Sequence, residues 1–312
     1  MADTDPRLVT LNRINLSTAR VEFVDSHIVL LCGGKVPEKE HPEAPDPPLA
    51  SLRHAITKSD PSFEIFRPEE IDDWHADGLF KNLMSFEQEL AGICSLIVVI
   101  LESAGSIAEL GAFSQLSDLN RKMIAVKSHD FETEKNVISF INLGILRFLR
   151  ESKESAVRTY PWSINVPTSI DDATLNDVIS DIEAVVGELP KSAVFNGVLD
   201  THKVALLCEM VSLFAAVREN EFLSYFEHLG VQISRDELRR KLFLLKRFRL
   251  LKEETYSDAT FYVQGRYNFH RLRLGSNDEL RIDPTRVALE CLDFYKNDNK
   301  HRHRHRVLTR RG

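Results

Sequence analysis

Hydrophobic residues in the first half of the chain fall into two kinds of pattern. Short unbroken runs occur at His27-Ile28-Val29-Leu30-Leu31-Cys32, Ser95-Leu96-Ile97-Val98-Val99-Ile100 and Lys122-Met123-Ile124-Ala125-Val126. They are β-branched and unalternating, as strands buried on both faces should be. Ser62-Phe63-Glu64-Ile65-Phe66 alternates instead, as a shorter strand stopped by Pro68. Between these runs the spacing predicts helices over residues 49–57, over 70–94, from Ser106 onward, and near 136–150. In the second of these, Leu79, Leu83, Phe86, Leu90 and Ile93 share one face. Strand and helix in alternation predict an α/β domain with a Rossmann-like parallel sheet.

The second half changes character. Residues 160–172, with Pro161 and Pro167, read as a connector, and a helix over 172–187 stops at Gly187 and Pro190. From about residue 200 the order is helix, short helix closed by Gly230, basic helix, hairpin. Val204, Leu207, Val211 and Phe214 share a face of the first helix. Leu238, Leu242, Leu245 and Phe248 do so on the third, which Ser234-Arg235-Asp236-Glu237 opens as a capping box. Strands at 251–254 and 260–263 supply a wing. The order is that of a winged helix, which places its third helix in the major groove. Arg235, Arg239, Arg240, Lys246 and Arg247 are then the nucleic-acid-binding candidates, reaching phosphates without reading sequence. A protein-binding winged helix with a solvated basic face is the alternative.

Charge supports the division. The chain nets −7, yet residues 201–312 hold 22 Lys/Arg against 15 Asp/Glu, and the first 200 hold 18 against 32. An acidic front and a basic back point to different partners. The tail from Lys300 to Arg311 alternates His and Arg and reads as disordered when free, able to clamp a phosphate backbone or an acidic protein surface. Cys32, Cys94, Cys208 and Cys291 lie far apart in apolar surroundings, which fits free thiols in a reducing cytoplasm and argues against a metal site. No apolar run reaches the length of a membrane span, and the N-terminus lacks a signal-peptide profile.

Candidate chemistry follows the strand at 95–100. Leu101-Glu102-Ser103-Ala104-Gly105-Ser106-Ile107-Ala108-Glu109-Leu110-Gly111-Ala112-Phe113 is a small-residue turn leading into a helix. That places Glu109 at the carboxyl edge of the sheet, where open α/β sheets bind ligands. Glu109 either completes a Ser106-x-x-Glu109 capping box or offers an ionised carboxylate to an electrophilic carbon. Trp74 and His75 either flank a base or sugar or belong to a lid or core, and Asp72 and Asp73 either bind a ribose hydroxyl or cap a helix.

The segment Gly105-Ser106-Ile107-Ala108-Glu109-Leu110-Gly111 resembles the nucleoside deoxyribosyltransferase family, whose glutamate at this place is the nucleophile. The strand ending in Cys32-Gly33-Gly34 resembles that family's sugar-site floor. Together with the block from Glu102 to Phe113, and the basic second module, the chain is most similar to the deoxyribosyltransferase-like toxins of bacterial retrons. The likeness is close over residues 25–150 and one of layout beyond. Two features depart from the plain transferase: the chain is about twice as long, and a charged, Pro-bearing loop follows the first strand. Nucleotide phosphoribohydrolases are a more distant comparison, because their Pro-Gly-Gly turn is missing.

The resemblance implies an N-glycosidase. Glu109 would attack the anomeric carbon and Glu102 would orient a sugar hydroxyl or assist proton transfer. Gly33, Gly34, Ser103, Gly105 and Ser106 would position sugar and phosphate. NAD is the first-choice substrate and purine (deoxy)nucleotides the second, with no separate cofactor. It also implies restraint by a retron reverse transcriptase and its msDNA, an RNA–DNA hybrid, in anti-phage defence; a homo-oligomer stays open. The expected domains are 1–165 (catalytic), 166–198 (helical connector), 199–298 (winged helix) and 299–312 (basic tail). A non-enzymatic, nucleotide-sensing DNA-binding regulator is the competing class, and a defence-complex subunit with a dead site is a third.

Overall fold

The chain begins with α1 (Pro6–Arg13) and β1 (Ile14–Glu22), which its apolar pattern does not predict. In this computed structural model residues 5–310 are described, apart from 25, 26, 40, 76, 77, 134–137, 266–269 and 279. Asp5 caps α1 and Pro6 occupies its first turn, where no backbone donor is needed.

The apolar runs are β2 (Ile28–Cys32), β4 (Leu96–Ile100) and β5 (Met123–Ser128), every residue buried. Around them lie α2 (Leu52–Lys58), β3 (Glu64–Phe66), α3 (Leu83–Ile93), α4 (Ala104–Ser114), α5 (Ser117–Asn120), α6 (Arg147–Ser152) and β6 (Val157–Tyr160). The five strands form one parallel sheet in the order β3-β2-β4-β5-β6. The chain therefore moves outward from β2 to β3 and then crosses back to β4. That reversal makes the gap between the carboxyl ends of β2 and β4 a topological switch point. Next comes α7 (Asp172–Glu188), whose Val178, Ile182 and Val185 join the sheet's core with Val29, Leu31, Val98 and Ile100.

Several expectations change here. The helix expected over 70–94 shrinks to α3; residues before it form a short 3-10 turn at Pro68–Glu70 and then bends, and Leu83 is exposed. The helix near 136–150 is a π-helical turn, Ile141–Leu146, running into α6, and part of the expected span lies outside the described residues. Strand β6 was not expected, and α7, within the expected helical connector, packs into the core of the sheet.

The remaining elements are β7 (Ser192–Val194), α8 (Asp200–Phe214), β8 (Ala216–Val217), α9 (Glu219–His228), α10 (Arg235–Arg247), β9 (Leu251–Tyr256), β10 (Ala259–Gln264), β11 (Arg271–Ser276), α11 (Pro284–Asn297) and α12 (Arg302–Thr309). Three helices and then an antiparallel hairpin, β9–β10, follow in the predicted order, with β8 added to the hairpin's other edge. A second antiparallel sheet has β1 at its centre, between β11 and β7.

Chain contacts define two compact units. One comprises residues 26–72 and 82–189; the other comprises 1–25, 73–81 and 190–312. The first 25 residues thus belong with the C-terminal elements, not with the parallel sheet, because β1 finds its strand partners there.

The tail is also ordered as far as it is described. Arg304 is 2% exposed, donates to the Ala216 carbonyl and pairs with Glu221, and its guanidinium lies over the rings of Phe261 and Tyr295. Val307 packs with Phe261 and Val263 of the hairpin. Composition alone suggested disorder, but alternate residues of α12 reach buried partners. No helix among the described residues is long and apolar enough to cross a membrane.

Candidate active site

Glu109 sits two turns into α4, at the switch point of the parallel sheet. The helix is capped without it. Ser103 is the N-cap; its hydroxyl accepts from the Ser106 N–H at 3.0 Å, and the Ser106 hydroxyl accepts from the Ser103 N–H at 3.2 Å. The capping box is therefore Ser103–Ser106, not Ser106–Glu109. Glu109 is half-buried, and its Oε2 is fully buried with no hydrogen-bond partner among the described residues. Such an atom is costly unless a ligand meets it.

The surroundings of Glu109 set its proton affinity. Burial raises it above the ordinary carboxylate range, while the Arg53 charge and a hydrogen bond from the Cys32 thiol oppose that rise. The thiol is held protonated, first by its own burial and then by the Glu109 charge. Cys32 ends β2, the strand beside β4 at the switch point.

Glu102 is held by backbone amides. Its Oε1 accepts from the Gly34 N–H at 2.9 Å and the Arg53 N–H at 3.0 Å, and its Oε2 accepts from the Leu52 N–H at 2.8 Å. Three backbone donors, two of them in the first turn of α2, hold the carboxylate as an anchor. Burial raises its proton affinity, and those donors counter the effect.

The glycines serve the same anchor. A Cβ on Gly34 would lie 2.8 Å from the Ser51 Cβ and 2.9 Å from the Glu102 Cγ; one on Gly33 would lie 3.0 Å from the Arg53 Cβ. The Gly33-Gly34 turn makes room for Glu102 and Arg53. Gly105 is exposed and a Cβ there meets only the Ser103 hydroxyl, at 3.7 Å. Ser103 also donates to the Gly33 carbonyl at 3.0 Å, and Ser106 is 1% exposed. Both serines therefore hold backbone at the start of α4.

Three site residues had no signal in the sequence. Arg53 is 5% exposed and clamps Glu69 with both terminal nitrogens, the Nη2–Oε2 contact being 2.7 Å; its Nε has no partner among the described residues. Burial works against the Glu69 charge, but Arg53 outweighs it and keeps the carboxyl below its ordinary range. Glu87 projects from the buried face of α3 and is pushed up to about 7, by burial and then by the Glu109 and Glu69 charges. Arg53, Glu69, Glu87 and Glu109 come from four separate segments, so no local spacing reports them. Among the described residues no three His, Cys, Asp or Glu side chains gather to hold a metal.

The basic helix α10 is already engaged within its own unit. Arg235 and Arg239 both reach Glu219 Oε1, at 2.9 and 3.0 Å, and Lys246 reaches Glu253 at 2.5 Å. Arg247 pairs with Asp73 and lies over the Phe243 ring. Arg240 is half-buried. Residues 73–81 pack on this helix: Phe80 is 5% exposed and meets Phe243 edge-on, and Leu79 lines a hollow with Leu242 and Tyr262. Asp73 is thus an ion-pair partner, not a helix cap. Trp74 and His75 stack edge to face in the same segment and belong to this unit, not to the sheet that carries Glu109.

A family model for STM3845 retron effector proteins matches residues 49–253, about two thirds of the chain. The chain belongs to the STM3845 retron effector family. Two Escherichia coli relatives, from retrons Ec86 and Ec73, each carry the name "putative ribosyltransferase/DNA-binding protein". The Ec86 protein is 35% identical over 133 residues, covering 41% of this chain and 39% of that protein. The Ec73 protein is 32% identical over 92 residues, covering 30% of this chain and 27% of that protein. Each alignment spans well under half of the relative. The matched family region of this retron effector contains Arg53, Glu69, Glu87, Glu102, Glu109 and all of α10; Cys32, Gly33 and Gly34 precede it.

Proposed function

We propose that this retron effector is an N-glycosidase of nucleotides with Glu109 as its nucleophile. The observation that carries the reading is the buried, unpartnered Glu109 Oε2, at the switch point of a parallel sheet and free of any capping duty. A carboxylate placed so attacks the anomeric carbon of a ribosyl or deoxyribosyl group as the base departs through an oxocarbenium-like transition state. Water then releases the sugar from the covalent intermediate. Glu102 fixes the floor by binding three backbone amides, and Arg53, held by Glu69, supplies positive charge and an open Nε to the substrate side. The ribosyltransferase part of the relatives' names supports glycosyl transfer as the class of chemistry.

NAD is the first substrate to test and purine (deoxy)nucleotides are the second, each as substrate and not as resident cofactor. The reverse transcriptase and its msDNA are the expected restraint, supported by membership in a retron effector family. The helices α8, α9 and α10 with the β9–β10 hairpin we read as a winged-helix module. The relatives' DNA-binding names favour a nucleic acid as its partner, and phosphates would have to exchange with Glu219, Glu253 and Asp73 on α10. Four free cysteines suit a reducing cytoplasm.

The test compares wild type with Glu109→Gln, incubating each with NAD, ATP, dATP and deoxynucleosides and separating released base by chromatography. Base from wild type alone supports the reading and names the substrate. No base from either protein, with the retron complex and its phage trigger also supplied, leaves a nucleotide-sensing, DNA-binding regulator instead.

A further inference from the structure

A cavity of about 500 Å³ lies wholly within the unit that holds the basic helix. Its walls come from α8, the start of β9, the end of β10, the start of β11 and the first turns of α11. That volume is ordinary for a small-molecule site. Val24, Leu250, Leu251, Pro284 and Ala288 form apolar sides. Two ionisable residues in the lining are buried: Glu209, 7% exposed, and His270, 3% exposed. Arg271 and Thr285 are exposed and mark the mouth.

Glu209 is the feature that asks for a ligand. It is the one charged residue between Val204 and Phe214, on a helix otherwise committed to the core. Among the described residues its carboxyl has no ion-pair partner, although burying a carboxylate is costly without one. Burial pushes it up to about 7, against the Arg271 charge and the Leu272 N–H. A burial cost that the fold does not offset, in a cavity, is the mark of a binding group. The cavity is also held in shape. Gly265 donates to the Leu250 carbonyl at 2.9 Å, and a Cβ on Gly265 would collide with the Arg249 carbonyl, so the two ends of the hairpin are pinned together. The Phe23 ring meets His270 edge-on, with centroids 4.7 Å apart.

The lining sets the ligand's chemistry. An ionised carboxylate offers acceptors and no donor, and pairs best with two adjacent N–H groups. The aliphatic sides require an apolar, planar body behind those donors. Arg271 at the mouth disfavours a cation and suits an anionic tail. Among the common nucleobases guanine alone presents two adjacent donors, at N1 and the exocyclic N2. Adenine and cytosine set an acceptor beside their amino group, and uracil flanks its single N–H with two acceptors.

We propose that this cavity binds a guanine nucleotide, with the N1–H and N2–H edge on Glu209 and the phosphate at Arg271. The site goes beyond the glycosidase reading and does not depend on Glu109. Its occupant touches both ends of the β9–β10 hairpin, through Leu251 and Gln264.

Titration calorimetry tests this on full-length protein carrying Glu109→Gln, so that no probe is consumed. Guanosine is expected to bind about tenfold more tightly at pH 8 than at pH 6, because the Glu209 carboxyl must first lose its proton. Glu209→Gln is expected to weaken guanosine at pH 8 by roughly 10- to 100-fold and to flatten the pH profile. GMP should bind roughly tenfold more tightly than guanosine, and Arg271→Gln should erase that margin alone. Adenosine lacks the second donor, and agmatine carries a fork of donors with a positive charge; each should bind at least roughly tenfold more weakly than guanosine. If thermal melts show Glu209→Gln to be unfolded, Ala288→Trp fills the cavity from α11 with Glu209 intact, and it should abolish binding. Absence of saturable guanosine binding would overturn the assignment. So would binding that survives either folded variant, or tighter binding of adenosine or agmatine.

Discussion

Ser103 and Ser106 cap α4 for each other, each hydroxyl accepting the other's backbone N–H. That reciprocal pair leaves the carboxylate three residues further on without a structural duty at the helix end. The expected consequence is a clean separation of effects. Ser106→Ala is expected to lower unfolding stability by about 1 kcal/mol, as loss of a cap does, while KM for the cleaved nucleotide stays as in wild type. Denaturant melts alongside steady-state kinetics check both halves, and a large rise in KM would return Ser106 to the sugar site.

Glu102 makes the opposite case. Gln at this position keeps one acceptor oxygen where three amides converge, and about 2 kcal/mol of stability is expected to be lost. Gly34→Ala is expected to behave similarly, because its new methyl would lie 2.8 Å from the Ser51 Cβ. Equilibrium unfolding measures both, and a neutral result for either would mean that the Gly33-Gly34 turn is not built around the carboxylate.

A pH dependence follows from Glu209, which lines a cavity of about 500 Å³ with His270 and Arg271. Burial pushes its carboxyl up to about 7. The folded chain then holds a proton that the unfolded chain has already lost, so this contribution to stability is full below about pH 4.5 and disappears as pH rises to about 7. The total is roughly 3 kcal/mol. Thermal melts from pH 5 to 8 should fall with pH, and Glu209→Gln should flatten the slope. A slope unchanged by the substitution would show that other groups carry it.

Arg304 gives a prediction about the tail. Removing its side chain leaves half-buried Glu221 with Arg7, at 2.6 Å, as its remaining ion-pair partner among the described residues, and uncovers the Phe261 and Tyr295 rings. Arg304→Ala is expected to cost about 3 kcal/mol, and truncation after His301 at least as much. A tail that is disordered in solution would lose nothing in the same denaturant titration.

Asp73 pairs with the Arg247 guanidinium on α10. If α10 contacts duplex DNA, Asp73→Asn is expected to tighten binding and steepen the fall of log K with log salt by about 0.9, one additional phosphate contact. Fluorescence anisotropy across a salt series measures this, and an unchanged slope would place Arg247 off the phosphate path.

The sequence was most readable where structure is local. The apolar runs of β2, β4 and β5 identify themselves, because a strand buried on both faces has no polar alternation to obscure it. The position of Glu109 at the sheet edge follows from strand, turn and helix in immediate succession. Its freedom from capping did not, since the choice between two overlapping boxes is made by whether the helix starts at Ala104 or Ser106. The amide anchoring of Glu102, and the surroundings of Arg53 and Glu87, were illegible for another reason: they depend on backbone amides and charges contributed by other segments. The His/Arg tail misled because composition describes a free peptide, whereas Arg304 acquires a carbonyl, a carboxylate and two rings only once the C-terminal unit has folded.

The central position of β1 between β7 and β11 also has a consequence in time. On a ribosome, β1 is made first, yet its partners at 192–194 and 271–276 emerge some 170 and 250 residues later. At translation speeds of roughly 5–20 residues per second, that strand waits on the order of ten seconds or more with both edges open. The parallel sheet, whose segments are all complete by residue 189, is ready to fold before the unit that contains β1. The unit that carries Glu109 thus precedes the basic module in the life of each new chain, and whatever acts through that module arrives later.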